Sequence, residues 1–188
     1  VRFKLGEAYL TANVFHTDYQ DYIFETATGE EEDGLPVFSY IARDATFTGF
    51  EIDAGTHIAD IGAWDVNGDV TVEYVRTELD AYEGVLPRIP PLGILAGIDA
   101  DTGFVAVRAE IDHQASKNRI AEFEIPTDAA TQVNAFLTWR PKGVNGPLLF
   151  RVSGLNLTDE EVRQPTSFLK DIAPLPGRNI RVTLEAKF

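Results

Sequence analysis

The stretch that decides the fold is Asn179–Phe188, NIRVTLEAKF. Ile180, Val182, Leu184, Ala186 and Phe188 are apolar; Asn179, Arg181, Thr183, Glu185 and Lys187 alternate with them and are polar. Successive side chains of a strand point to opposite faces. Strict alternation therefore describes a strand with one face against an apolar phase and one against water or polar groups.

The same period recurs upstream. Val133, Ala135, Leu137 and Trp139 alternate with polar residues in 131–140, although Phe136 breaks that polar face. Val105, Val107, Ala109 and Ile111 alternate with Arg108, Glu110 and Asp112. Segments 8–16, 47–58, 69–76 and 148–154 repeat the pattern, 92–99 does so weakly, and 1–5 reads as the end of a strand. Counting the C-terminal one, this gives nine strands. Each is close to the ~9–11 residues that cross a bilayer as a tilted strand.

The connections alternate in length. Gly6-Glu7 is short, 27–36 is an acidic loop, 59–68 a medium turn, 77–91 a long loop, 101–103 a tight turn, 115–127 a loop, 141–147 a turn and 157–178 the longest loop. Short turns at one end and long loops at the other are the signature of an outer-membrane barrel. A short turn after the first strand makes that strand run towards the periplasm, and the ninth then ends there too. An odd count does not close the usual even-stranded bacterial barrel. The expectation is the C-terminal part of a larger one. Tyr9, Tyr74, Trp139 and Phe188 fall near the ends of apolar faces, where an interfacial girdle lies. A soluble all-β sandwich or small ligand-binding barrel also produces alternation and stands as the other reading.

Composition sets outer bounds. The 188 residues include no Cys and no Met, and 16 Lys+Arg against 30 Asp+Glu give a net charge of −14. Without Cys there is no disulfide framework and no thiolate metal site. The acidic balance argues against nucleic acid. No run reaches the ~18–20 apolar residues of a membrane helix, a test that β-barrels escape. The start at Val1 reads as a cut within a longer chain, so a missing signal peptide carries no information.

The loop 156–178, NLTDEEVRQPTSFLKDIAPLPGR, together with the closing strand resembles the C-terminus of TonB-dependent outer-membrane receptors. The shared elements are Asn156-Leu157-Thr158-Asp159, Pro176-Gly177-Arg178 and the terminal Phe188. LPRIPP at Leu86–Pro91, NRIAEFEIPTD at Asn118–Asp128, TSFLKDIAPLPGRN at Thr166–Asn179 and YQDYIF at Tyr19–Phe24 resemble the branch that includes zinc-uptake receptors. The resemblance implies an all-β fold: an antiparallel transmembrane β-barrel segment over 1–188, the last nine strands of a barrel of about 22 closed by a plug. It implies a non-enzymatic importer of zinc or, alternatively, of an iron-siderophore or haem. The implied setting is the outer membrane, with the TonB energy-coupling complex, membrane lipid and the barrel-assembly machinery as partners. Ile180, Val182, Leu184, Ala186 and Phe188 would form the assembly signal.

No catalytic constellation and no resident cofactor is expected. Nucleophile elbows, phosphate-cradling Gly loops and paired metal-ligand histidines are absent from the sequence. GAWDVNGD at Gly62–Asp69 lacks calcium-loop spacing and reads as a polar turn. His113 with Asp112, near Glu122 and Glu124 across the next loop, offers imidazole and carboxylates suited to a divalent metal such as zinc. A solvated strand-end histidine reads the same way. His57 has lumen-facing parity, and His16 has the apolar parity of an outer rim. Glu30-Glu31-Glu32-Asp33 either draws cations to the mouth or merely keeps a loop soluble. Lys170 and Asp171 read as an exposed pair that could pin the last loop. The prolines of LPRIPP fix the return into a strand.

Overall fold

The computed structural model describes residues 1–80, 84–141 and 148–186. Its nine strands are β1 (Arg2–Leu5), β2 (Ala8–Glu32), β3 (Leu35–Ile61), β4 (Trp64–Leu79), β5 (Gly93–Asp101), β6 (Val105–Gln114), β7 (Ala130–Trp139), β8 (Leu148–Leu155) and β9 (Asn179–Ala186). They form one antiparallel sheet in sequence order, each strand paired with the next. The order leaves β1 and β9 as edges, and every residue of both is exposed. The sheet is an open stretch of barrel wall.

Register fixes the two faces. Glu51, Asp53, Asp69, Glu73, Arg108, Glu110 and Asn134 share the polar face, and Val70, Val72, Ile98, Ala109, Ala135 and Leu137 share the apolar one. On β4 the apolar face runs from Trp64 to Tyr74 and then turns polar at Arg76 and Glu78. On β2 and β3 it turns polar at His16 and Thr48, which are hydrogen bonded to each other at 2.9 Å. These changes mark the outer boundary of the hydrocarbon band. Trp139 stacks on Phe150 at 5.2 Å near the opposite, inner boundary, as a girdle requires.

Three expectations are corrected. First, β2 and β3 span 25 and 27 residues, so they overrun the bilayer, and the expected loop at 27–36 is the tip of this hairpin. Glu30 to Glu32 are strand residues there, with Asp33 and Gly34 turning at φ 53° and 78°. Period-two reading lost the outer half because register slips between Tyr19 and Tyr22, where Asp21 has φ 53° and its N–H bonds Asp44. A bulge of that kind swaps faces. Second, the sequence 62–69 is a two-residue turn followed by strand, with Trp64 paired to Ile61. Third, Tyr9 faces the polar side, because its ring lies over Gly55, where a Cβ would sit 2.6 Å from it. The turn expected at 141–147 lies, but for Pro141, outside the described residues, as do Lys187 and Phe188.

The buried apolar core is small and sits at the outer end. Phe24, Ala45 and Leu86 form it, packed by Tyr22, Ile41, Phe47, Leu79 and Ile89. Leu86 of LPRIPP is 1% exposed. The segment after residue 84 is thus folded down onto the outer extension of β2, β3 and β4. It meets them on the side of Ala45 and Phe47, the face that carries Glu51 and Asp53 further down the strand.

Candidate functional site: a polar wall under an outer cap

The polar wall is held by a charge network. Arg108 forks onto Asp69 at 2.6 and 3.0 Å, bonds Glu110 at 3.0 Å and lies 3.7 Å from Asp99. Asn134 donates to Glu110 at 3.3 Å, and Arg140 pairs with Asp101 at 3.2 Å. The guanidinium of Arg108 lies over Gly97, where an added Cβ would come within 2.2 Å of it. Gly97→Ala is therefore expected to displace Arg108 from Asp69 and to cost about 1–3 kcal/mol of overpacking. The unfolding midpoint of the full-length protein in detergent would measure it; an unchanged midpoint would mean that the fork yields freely.

At the inner end, a cavity of about 540 Å³ is lined by Tyr9, His57, Asp65, Asn67, Asp69 and Asp99, among others. His57 Nδ1 is 3.0 Å from Asp65 Oδ1, which also accepts from Asn67 at 2.9 Å. Among the described residues, one trio of histidine and carboxylates brings its ligand atoms within 4.8 Å of one another: His57, Asp60 and Asp65. Both carboxylates are exposed, and one oxygen of Asp65 is already occupied twice.

The expected metal set does not converge: no three of Asp112, His113, Glu122 and Glu124 form such a group. Asp112 and His113 are neighbours on β6 and so point to opposite faces. His113 Nδ1 is 2.8 Å from Thr131 Oγ1 across the strand pair. Glu122 is exposed. Glu124 faces inward, its side chain 4% exposed, and both of its oxygens are engaged.

Glu124 is where the outer loops meet. Its Oε1 accepts from Lys117 Nζ at 2.7 Å and from the Arg88 N–H at 2.9 Å, and its Oε2 accepts from the Ala121 N–H at 3.0 Å. Lys170 Nζ lies 3.7 Å from the same carboxylate. Both lysines also donate to the Pro165 carbonyl, at 3.4 and 3.2 Å. Lys170 is 3% exposed and pairs here, which corrects the exposed pair with Asp171. The Arg88 guanidinium reaches Glu25 of β2 at 2.8 Å and covers the Phe168 ring at 4.6 Å. Phe123 packs on Phe38 of β3 at 4.8 Å and on Phe168 at 6.4 Å. Beneath this cap, a cavity of about 270 Å³ lies between Pro90-Pro91 and the wall residues Phe15, Phe47, Glu51 and Glu73.

Charge at the node is tuned by this packing. Burial pushes the Glu124 carboxyl up, but the Lys117 ammonium and the Ala121 and Arg88 amides outweigh it, leaving the group below the ordinary glutamate range. Burial pushes Lys170 down, and the nearby Glu124 charge offsets part of that. A depressed carboxyl gives stability that is present above its unfolded value and lost as pH falls through its folded one. The cap is expected to hold at neutral pH and loosen as pH drops below about 4. Spin labels on residues 119 and 172 would check this; linewidths unchanged on acidification well below the ordinary glutamate range would refute it.

The last loop is closed by a second device. Asn156, φ 48° and 1% exposed, accepts from the Glu160 N–H at 2.9 Å and donates to the Glu160 carbonyl at 2.8 Å and that of Pro176 at 3.4 Å. Asp159 Oδ1 accepts from the Arg178 N–H at 2.8 Å. A Cβ at Gly177 would lie 2.8 Å from the same oxygen. The Asn-Leu-x-Asp and Pro-Gly-Arg elements are thus the two halves of one clamp at the start of β9.

A sheet with these two faces, girdle aromatics and long loops at one end defines an outer-membrane β-barrel wall. Residues 1–157 match the family described as TonB dependent receptor-like, beta-barrel, and the chain belongs to that family. The solved copper transporter OprC superposes over 97% of this chain with a TM-score of 0.84 at 18% identity. The ferric-catecholate import receptor Fiu from K12 E. coli gives 0.64 at 19% identity, and the outer membrane transporter YddB from Escherichia coli gives 0.60 at 13%, each over 97% of this chain. The chain spans 29%, 26% and 30% of these three chains respectively. No match is found among the curated proteins.

Proposed function

We propose that the parent protein is a TonB-dependent importer that carries a metal ion or metal complex across the outer membrane. The observation that carries this reading is the family match over residues 1–157. The acid-rich wall, with Glu51, Asp53, Asp69, Glu73 and Asp99 on the polar face, suits a path for cations. Zinc is the first cargo to test, on the resemblance of the four motifs LPRIPP, NRIAEFEIPTD, TSFLKDIAPLPGRN and YQDYIF. Copper and iron complexes are the next, since OprC is named a copper transporter and Fiu a ferric-catecholate receptor. Energy would come through the TonB complex. Ile180, Val182, Leu184, Ala186 and Phe188 would present the barrel-assembly signal.

The test is growth and metal accumulation in a deletion strain under zinc, copper and iron limitation in turn. A zinc-specific defect restored by the full-length gene supports the reading. A copper or iron defect reassigns the cargo, and unchanged levels of all three overturn the proposal. The bond of His113 to Thr131 leads us to expect that His113→Ala leaves metal accumulation unchanged in the same assay; a fall would make His113 a cargo contact.

A further inference from the structure

We infer that residues 84–92, 115–129 and 156–173 form a single cap that opens and closes as one body, with Glu124 as its common lock. The three segments lie far apart in sequence and belong to three different strand connections. Each supplies a group to one carboxylate: the Arg88 N–H from the first, Lys117 and the Ala121 N–H from the second, Lys170 from the third. The Pro165 carbonyl takes the second bond of both lysines, so the third segment is tied to the second without Glu124 as well.

Burial makes these ties cooperative. Lys117, Lys170 and Glu124 have side chains 3–4% exposed. Lifting the third segment takes Lys170 from Glu124 and the Pro165 carbonyl from Lys117, and lifting the first takes the Arg88 N–H from Glu124; each leaves a charge that water does not reach with fewer partners, which is unfavourable. Intermediate states with one segment raised are therefore disfavoured against all-closed and all-open states. The contacts of Arg88 with both Glu25 and Phe168, and of Phe123 with both Phe38 and Phe168, link the same segments to each other and to the outer extension of β2 and β3. In the closed state Pro90 and Pro91 roof the cavity above Glu51 and Glu73. A ligand entering that cavity from outside would meet one lid rather than three loops.

The inference concerns the cap alone and holds whatever the cargo is. Its test is hydrogen exchange of the full-length receptor in lipid nanodiscs, comparing wild type with Glu124→Gln and needing no ligand. The expected result is that protection falls in 84–92, 115–129 and 156–173 together, by about tenfold or more and by similar factors, while β5 to β8 are unchanged. Loss confined to 115–129, or no loss, overturns it. Should Glu124→Gln fail to assemble, Lys170→Met serves instead. That variant touches the third segment directly, and the inference requires protection to fall in the other two as well; a fall restricted to 156–173 overturns it.

Discussion

Replacing Glu124 by alanine is expected to destabilise the outer cap by about 3–5 kcal/mol, the cost of leaving one side of a buried ion cluster uncompensated. Two ammonium groups would remain behind it, both 3% exposed at the residue level, with the Pro165 carbonyl as their shared acceptor. The Arg88 and Ala121 amides would lose their acceptor as well; for the part-buried Ala121 amide that loss costs about 1 kcal/mol or more, whereas water can replace the acceptor at the exposed Arg88. The strands would keep their ladders, so the loss should stay local. Proteolysis of the native full-length protein measures it, because cleavage within the cap requires local opening. The expected acceleration is on the order of a thousand-fold, from about 1.4 kcal/mol per factor of ten. A change below about tenfold would show that the lysines find other partners.

A companion variant separates charge from packing. Lys117→Met with Glu124→Leu and Lys170→Met removes all three charges while roughly keeping volume. Well-packed apolar replacements of buried ion clusters are often neutral or stabilising. The triple variant should therefore recover most of what the single one loses. Failure to recover would place the stability of the cap in the backbone bonds to Glu124 rather than in its pairing with lysine.

The wall was legible from period two because each of its strands has one face in an apolar phase. The alternation at 104–113, 131–140, 148–154 and 179–188 returned β6 to β9 within a residue or two at each end. It failed where the wall leaves the membrane. Beyond the Tyr19–Tyr22 slip the phase changes: Phe24 is packed beneath Leu86 while Ile23 on the other face is exposed, so the alternation of the wall does not carry through. Tyr9 departs for a different reason: an aromatic at a strand end reads as part of the girdle, although its parity matches Gly55 and the polar face.

The node was not legible, although most of its parts lay in or directly beside the quoted motifs, Lys117 standing one residue before Asn118. LPRIPP holds Leu86 and Arg88, NRIAEFEIPTD holds Ala121, Phe123 and Glu124, TSFLKDIAPLPGRN holds Phe168 and Lys170, and YQDYIF ends beside Glu25. Sequence showed Glu124 as a carboxylate near His113 and suggested a metal. A loop carboxylate awaiting a cation and one already neutralised by distant lysines look alike along the chain. What distinguishes them is contact between strand connections, which neither spacing nor charge pattern encodes.

Asn156→Ala is the second large effect, expected to cost about 3–5 kcal/mol at the junction of the last loop and β9. Two contributions add. Removing the amide takes away three side-chain hydrogen bonds, to the Glu160 N–H, the Glu160 carbonyl and the Pro176 carbonyl, each worth about 1 kcal/mol net and more where the partner stays buried. The backbone at φ 48° also suits asparagine, whereas alanine there costs about 1–2 kcal/mol. Asn156→Gly isolates the first contribution, since glycine accepts that conformation freely. Asn156→Asp keeps the acceptor for the Glu160 N–H but sets a charged oxygen against two carbonyls, so it should fall near alanine or below. The consequence extends past the loop. Asn156 and Asp159 hold Pro176 and the Arg178 N–H immediately before Asn179, the first residue of β9, which pairs with Leu155. A loosened clamp lets β9 slip against β8, and a one-residue slip would turn Ile180, Val182 and Leu184 from the lipid to the lumen. The unfolding midpoint of the full-length protein in detergent should fall in the order Asn156, then glycine, then alanine. The fraction reaching the folded, membrane-inserted state should fall in the same order. Glycine and alanine variants with equal midpoints would remove the conformational contribution, and midpoints equal to wild type would mean that the clamp does not hold β9 in register.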